Sequence, residues 1–392
     1  CVGLATAYKI NTRYPHLKIA VLEKENRVSA HQTGRNSGVI HSGIYYKPGS
    51  YKARNCVDGR RELVAFAKEY GIQHDICGKV IVATQEDELA HMNKVYQNGI
   101  ANGVEDIRLI TTQEIKDIEP YCEGIAGIWV GCTGIIDYAG FTKKLAELLE
   151  QKFEGSKLFL NTEAKDFIKE GGKTIIKTNR QNFEAKYIVA CAGLQSDRIA
   201  QKEGTGTDTA IVGFRGDYYD LSETGRGKVK NLIYPVPNPQ FPFLGVHFTR
   251  MVDGSVECGP NAVFVFKREG YSKTAFNLTD TAAALSYSGT WKFFAKHWRF
   301  GLDEYRGAFS KSYFLKRLQK LIPSLTSSDI IPGRAGVRAM ALSREGNMID
   351  DFKIEASDNA IHVLNAPSPA ATAALAIGNA VQEIATKQFQ LS

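Results

Sequence analysis

The chain opens on Cys1-Val-Gly-Leu-Ala-Thr-Ala-Tyr8, which reads as the start of a helix. Small residues at Gly3, Ala5 and Ala7 would let that helix lie close against a sheet. After a break at Pro15, Leu17-Lys-Ile-Ala-Val-Leu-Glu23 is a short apolar run ending in an acid, the pattern of a buried parallel strand. Residues 56–70 and 141–152 carry helical spacing, and Lys79-Val-Ile-Val-Ala83 reads as a strand. Leu158–Leu160, Thr174–Thr178 and Tyr187–Ala192 read as further strands, with Gly171-Gly172 supplying a hairpin turn. No repeat or low-complexity tract interrupts these elements. No apolar run approaches the roughly eighteen residues of a transmembrane helix, so peripheral membrane contact is the membrane role left open.

Composition narrows the class. A chain of 392 residues is too long for one ordinary core and predicts two domains. Hydrophobic residues at 43% and charged residues at 23% exclude collagenous, coiled-coil and wholly disordered chains. The 49 Lys+Arg against 42 Asp+Glu leave +7, dispersed along the chain. With no basic block there is no nucleic-acid arm, and the excess suits an anionic small substrate. Seven cysteines form no CxxC pair and no Cys/His cluster, which argues against a disulfide framework and structural zinc. A reducing compartment is expected, and no signal or transit segment is visible.

Chemistry enters at Glu23. An acid about twenty residues beyond a helix-opening glycine is the ribose-binding pattern of a dinucleotide fold. The strand and the two glycines that should precede Gly3 are absent, so Gly3 reads as the third glycine of that motif and the chain as N-terminally truncated. The segment His31-Gln-Thr-Gly-Arg-Asn-Ser-Gly-Val-Ile-His-Ser-Gly43 then packs three glycines and two histidines among hydroxyl and amide groups. Such a loop can bring backbone N–H groups close to a flat ligand.

From Glu23-Lys24 through this loop to Tyr46-x-Pro48, the chain resembles the L-2-hydroxyglutarate dehydrogenase/oxidase family, FAD enzymes of the D-amino-acid-oxidase-like superfamily. Further blocks carry the resemblance: Phe214-Arg-Gly-Asp-Tyr218, Tyr234-Pro-Val-Pro, Phe241-Pro-Phe-Leu-Gly-Val-His-Phe-Thr249 and Gly259-Pro-Asn-Ala-Val263. Phe266-Lys-Arg-Glu-Gly-Tyr271, Ala335-Gly-Val-Arg-Ala339 and Asn365-Ala-Pro-Ser-Pro-Ala-Ala-Thr372 extend it almost to the end. The resemblance implies an α/β (α+β) fold: a Rossmann-like FAD-binding domain and a second, mainly antiparallel-sheet substrate domain. It places residues 1–80, 155–204 and 331–392 in the first and 81–154 and 205–330 in the second. FAD, held noncovalently, would be contacted by Gly3, Glu23, Lys24, Thr33, Asn36, Ser37, Gly38, Ala192, Gly193, Gly336, Pro367, Ser368 and Ala371.

The implied reaction is oxidation of L-2-hydroxyglutarate to 2-oxoglutarate, with hydride passing to flavin N5. Arg338 would hold the C1 carboxylate, because a guanidinium fork binds a carboxylate with two parallel hydrogen bonds. His41 and His247 are the candidates for the base that takes the hydroxyl proton, and the sequence does not choose between them. The distal carboxylate needs its own partner, for which Arg215, Lys267 and Arg268 stand in the blocks. Tyr234, Tyr218 and Asn261 could hydrogen-bond the same substrate. No metal is called for. Electrons would pass to a quinone, an electron carrier or oxygen. A mitochondrial setting is expected, with the bacterial cytoplasm or inner-membrane face as the alternative. Two rivals remain: an amino-acid or amine oxidase on the same scaffold, and an inactive fragment.

Overall fold

The computed structural model describes residues 1–206, 208–239 and 244–392. Its first element is the Val2–Arg13 helix, which buries Leu4, Ala5, Ala7 and Ile10. The small residues work as the sequence suggests. A Cβ on Gly3 would come to 3.3 Å from the Cys191 Cβ, and one on Gly378 to 2.9 Å from the Ala5 backbone. The helix therefore lies directly on the Ala374–Gln388 helix and beside the Ile188–Ala190 strand.

Ala20–Leu22 pairs in parallel with Lys157–Phe159, and Ile188–Ala190 pairs in parallel with Ala360–Asn365. Both Ala20–Leu22 and Ile188–Ala190 are half-buried rather than buried, because among the described residues each has a strand partner on one edge only. Ala164–Glu170 and Lys173–Thr178 form the expected hairpin. Its two connecting glycines both take positive φ, 58° and 76°, as a two-residue turn between right-twisted strands requires.

The two helices read from spacing begin earlier than their apolar faces do. Ser50 caps Tyr51–Glu69 by accepting the Ala53 N–H, and Asp137 caps Tyr138–Lys152 by accepting the Ala139 N–H. Phe141, Leu145, Leu148 and Leu149 of the second helix share one apolar cluster with Leu4, Ala5, Leu63 and Phe66. The packing thus sets this helix beside the first eighty residues, although the resemblance grouped it with residues 81–154.

Among the described residues the largest sheet has nine strands and is mostly antiparallel. It runs from Val263–Phe264 through Thr209–Leu221, Val256–Gly259, His247–Arg250 and Leu232–Pro235 to Lys79–Ala83, Ala126–Val130 and Ile107–Thr111. Leu232–Pro235 and Lys79–Ala83 pair in parallel. The ninth strand, Ile330–Ser343, lies along Thr209–Leu221 with Gly216 opposite Gly336 and Phe214 opposite Arg338. Lys79 and residues 331–343 thus sit in the large sheet, not with the segments the resemblance assigned them to. The mixed α/β fold matches the expectation.

Candidate active site

The loop 31–46 touches each of the distant segments expected to hold the cofactor. Thr33 Oγ1 accepts from the main-chain nitrogen of Cys1 at 3.1 Å, at the start of the first helix. Gln32 Oε1 stands so close to Gly193 that a Cβ there would lie 2.8 Å away, and Gly193 takes a φ of +53°. The neighbouring Ala192 carbonyl accepts the Gln195 N–H at 2.9 Å, closing the turn. Asn36 shapes the loop itself: Nδ2 donates to the Thr33 carbonyl at 2.9 Å and Oδ1 accepts the Gly38 N–H at 2.8 Å.

Residues 334–338 close the loop from the sheet side. Arg334 donates to the carbonyls of Gly34 at 2.9 Å and Asn36 at 2.6 Å. A Cβ on Gly336 would meet the Arg35 carbonyl oxygen at 2.3 Å. Arg334 and Gly336 thus both meet this loop, and alternation puts Arg338 on the strand face of Gly336. The segment 366–373 closes the third side. His41 donates its N–H to Thr372 Oγ1 at 3.1 Å, Thr372 Oγ1 also bonds the Tyr138 hydroxyl at 2.8 Å, and Tyr46 is hydrogen-bonded to Ser368. The Pro367 carbonyl accepts the Ala370 N–H at 2.9 Å, and Ala371 packs on the first-helix cluster.

Glu23 ends its strand, donating its N–H to the Phe159 carbonyl at 2.9 Å while its carboxylate accepts the Glu25 N–H at 3.0 Å. Lys24 turns into an ion cluster with Glu25 at 2.8 Å and Glu269 at 2.7 Å, beside His31 Nε2. His31 Nδ1 lies 2.6 Å from the Tyr271 hydroxyl. Glu25, His31 and Glu269 have a spacing that could hold a metal ion, but the Lys24 ammonium already supplies the positive charge among them.

A second cluster lies against the loop. The Tyr234 hydroxyl is hydrogen-bonded to Ser37 and Thr249, and its ring lies against His247 with centres 4.1 Å apart and a 31° tilt. His247 Nδ1 donates to the Gly245 carbonyl at 2.8 Å, which leaves Nε2 as an acceptor in the neutral ring. Burial first, then the charge of Lys79, pushes the His41 pKa down to about 3. His247 is brought down to about 4 by burial, with Arg338 and Lys79 acting in the same direction. Arg338 Nη1 donates to the Asn261 carbonyl at 3.1 Å. Asp350 pairs with Lys52 at 2.9 Å.

Comparison with known proteins decides the family. The family model described as FAD dependent oxidoreductase matches residues 1–384. The chain belongs to that family of FAD-dependent oxidoreductases. An L-2-hydroxyglutarate dehydrogenase from Indibacter alkaliphilus is 49% identical, over 99% of this chain and 97% of that protein. The mitochondrial L-2-hydroxyglutarate dehydrogenase of Homo sapiens is 43% identical, covering 100% of this chain and 88% of its own. Among solved structures, the FAD-bound L-alpha-glycerophosphate oxidase of Mycoplasma pneumoniae superposes with a TM-score of 0.76 at 22% identity, over 100% of this chain and 92% of that one. Glycine oxidase from Geobacillus kaustophilus gives 0.72 at 14% identity, over 100% and 92%.

The loop geometry fits the family's cofactor. Gly193 and Gly336 carry no side chain where Gln32 and the Arg35 carbonyl close in, so the loop packs directly on both segments. Glu23 at the end of Ala20–Leu22 offers the acceptor that ribose hydroxyls need. Thr33, Asn36, Ser37 and Gly38 lie on this loop, Ala192 adjoins Gly193, and Pro367, Ser368 and Ala371 lie in the segment that bonds the loop, whereas Gly3 acts through helix packing and Lys24 through its ion cluster.

The substrate candidates divide. Tyr234 and Arg338 belong to the cluster, but Arg215 does not reach it. Arg215 stands one position out of phase with the face of Gly216 and Phe214, opposite Val337. Its Nε and Nη2 bind Asp217 at 2.8 and 3.2 Å, and Nη1 binds the Ser272 carbonyl at 2.5 Å. Asn261 is likewise engaged, accepting the Asp217 N–H at 2.7 Å, so its side chain positions that acid and its carbonyl positions Arg338. Arg268 is a buried ion-pair partner of Asp197, and Lys267 is exposed. The Phe241-Pro-Phe part of its block lies outside the described residues.

Asp217→Ala would leave Arg215, whose side chain is 6% exposed, buried without its counter-charge. The expected cost is about 3–5 kcal/mol. A urea melt of the variant checks this, and an unchanged midpoint would show that Arg215 does not depend on Asp217.

Lys79, Tyr45, Thr372 and Arg334 are site residues that sequence reading missed. Lys79 looked like the edge of an apolar strand. Arg334 could have been found from its spacing of four residues from Arg338, which on a strand means one shared face.

Proposed function

We propose that this chain oxidises L-2-hydroxyglutarate to 2-oxoglutarate, with Arg338 binding the C1 carboxylate and His41 accepting the hydroxyl proton. The observation that supports this reading is the position of His41. Its main chain is tied to the 366–373 segment through Thr372, on the same loop whose residues 32–36 meet Gly193 and residues 334–336. A proton acceptor must stand beside the carbon that loses hydride, and this loop carries four of the proposed cofactor contacts, Thr33, Asn36, Ser37 and Gly38.

Bound FAD supplies the two-electron acceptor. The chain does the rest. The guanidinium of Arg338 fixes the substrate's orientation, and a neutral imidazole at His41 takes the proton as the C2–OH becomes C2=O. His247, with Nδ1 fixed by Gly245, offers a second acceptor nitrogen close by. The test is the visible spectrum of the flavin-loaded protein during anaerobic addition of L-2-hydroxyglutarate, with L-amino acids as the comparison. Bleaching by the hydroxy acid alone supports the reading. Bleaching by an amino acid alone would transfer the chain to the amine-oxidising rival.

The electron acceptor is proposed to be reached at a membrane surface. Among the described residues no helix is long and apolar enough to cross a membrane. The Ser288–Phe309 helix nevertheless exposes Trp298, Leu302 and Phe309 at helical spacing, with Trp291 before its bend at His297. Lys292, Lys296, Arg299 and Arg306 are exposed on the same helix. An apolar row flanked by cations suits an anionic lipid surface. Co-sedimentation with anionic vesicles is expected for the natural chain and lost in Trp298→Ser/Leu302→Ser; equal sedimentation of both would reject this face.

Relatives include animal mitochondrial proteins and bacterial ones. We propose the mitochondrion for this chain. Fractionation of source cells with an antibody to the chain tests it, and signal outside mitochondria rejects it.

A further inference from the structure

Lys79 opens a strand that is buried along its whole length. Alternation puts Lys79 on the face of Ile81, in the cluster that also holds Val39, Ile44 and Tyr234. Its ammonium lies 4.6 Å from the centre of the Tyr45 ring and 4.9 Å from that of Tyr234. Among the described residues Nζ has no hydrogen-bond partner, and neither has the Tyr45 hydroxyl. An ammonium carries three donors, and two ring faces engage none of them as hydrogen-bond acceptors would. Cys56 and Cys132 act on Lys79, but burial raises both thiol pKa values and keeps them neutral. A buried cation with neutral neighbours is a costly arrangement unless something arrives to pair with it.

Its place in the site says what arrives. His41 and His247 both feel the Lys79 charge, and His247 feels Arg338 as well. Three cations thus act on the site: Lys52, which is paired with Asp350, Arg338, the proposed anchor of the C1 carboxylate, and Lys79. Arg215, which the sequence offered for a second carboxylate, is held by Asp217.

We propose that the Lys79 ammonium receives the second carboxylate of the substrate, so that the site selects dicarboxylic 2-hydroxy acids over monocarboxylic ones. This rests on the 2-hydroxy-acid reading above and names the group that sets its specificity. Tyr45, whose ring centre lies 4.6 Å from Nζ and whose hydroxyl has no hydrogen-bond partner among the described residues, is the candidate donor to the same carboxylate.

The test uses the flavin-loaded protein and its Lys79→Met and Lys79→Gln variants. Two ligands, 2-oxoglutarate and 2-oxobutyrate, are titrated against the visible spectrum of the bound flavin. L-2-hydroxyglutarate and L-2-hydroxybutyrate are compared as substrates with an artificial acceptor. Loss of one charge-assisted contact is expected to weaken the five-carbon diacid by about 10–150-fold and the monoacid by less than about 3-fold. Equal losses for both would mean that Lys79 only positions the histidines, and no loss would mean that it stays unpaired; either overturns the proposal.

Should neither variant fold, the natural protein still decides. Lys79 is held down to about 8, mainly by burial. The diacid-to-monoacid ratio of kcat/KM should therefore fall between about pH 7 and about pH 9 as this amine loses its proton. The other facing groups do not titrate in that window in a way that favours one acid. His41 and His247 are already neutral, and Tyr45, Tyr234, Cys56 and Cys132 are all raised by burial. A flat ratio overturns the proposal. If L-2-hydroxyglutarate fails to bleach the natural protein, the functional reading falls instead, while the two oxo-acid titrations still report on Lys79.

Discussion

Replacing His41 with asparagine is expected to lower kcat by about 10²–10⁴-fold while FAD stays bound. Asparagine keeps a polar side chain but cannot accept the proton, and the loop is held through main-chain atoms of residue 41 that the change leaves in place. The pH profile supplies a second signature. A histidine pushed down to about 3 is neutral and ready to accept a proton across the ordinary range. The natural protein should therefore show no acid-side fall in kcat/KM near the ordinary histidine pKa of about 6.5. Lys79→Met removes a positive neighbour, so it should move the acid limb upward. His247→Asn is the control. If it suffers the larger loss, the two histidines exchange roles. A loss under about tenfold in both variants would reject a histidine base altogether.

Arg338→Met should raise KM and lower kcat/KM by about 10²–10³-fold, because a carboxylate would enter the site with no bidentate partner and a poorer orientation. Arg338→Lys should recover little of this, since a point charge cannot reproduce the planar fork. Steady-state kinetics of both variants check the expectation. A KM near the natural value in Arg338→Met would remove Arg338 from substrate binding and leave it a structural partner of the Asn261 carbonyl.

The sequence disclosed the parts of this molecule whose signal is local. Gly171-Gly172 needed positive φ at both positions and took it. Gly3, Ala5 and Ala7 marked a helix that must lie close to its neighbours, and it does. The loop 31–46 declared itself by its density of glycine and polar groups. Long-range pairing was out of reach. Lys79 owes its character to Tyr45 and Tyr234, which approach it from other strands and loops, so nothing in Lys-Val-Ile-Val-Ala distinguishes it from a strand's solvated first residue. Arg215 is the instructive miss. Its partner Asp217 stands two residues away on the same strand face, where the two side chains close on each other.

One strand holds the 31–46 loop through Arg334 and Gly336 and is proposed to hold the substrate through Arg338, all on alternate positions. This makes the segment far less tolerant of a change in length than of a change in residue. A single deletion between positions 334 and 338 would turn one end of the series to the opposite face of the sheet. Either the loop clamp or the carboxylate anchor would then point the wrong way. In a lineage descending from this chain, substitutions can accumulate here, whereas insertions and deletions should collect at sites such as the exposed 171–172 turn.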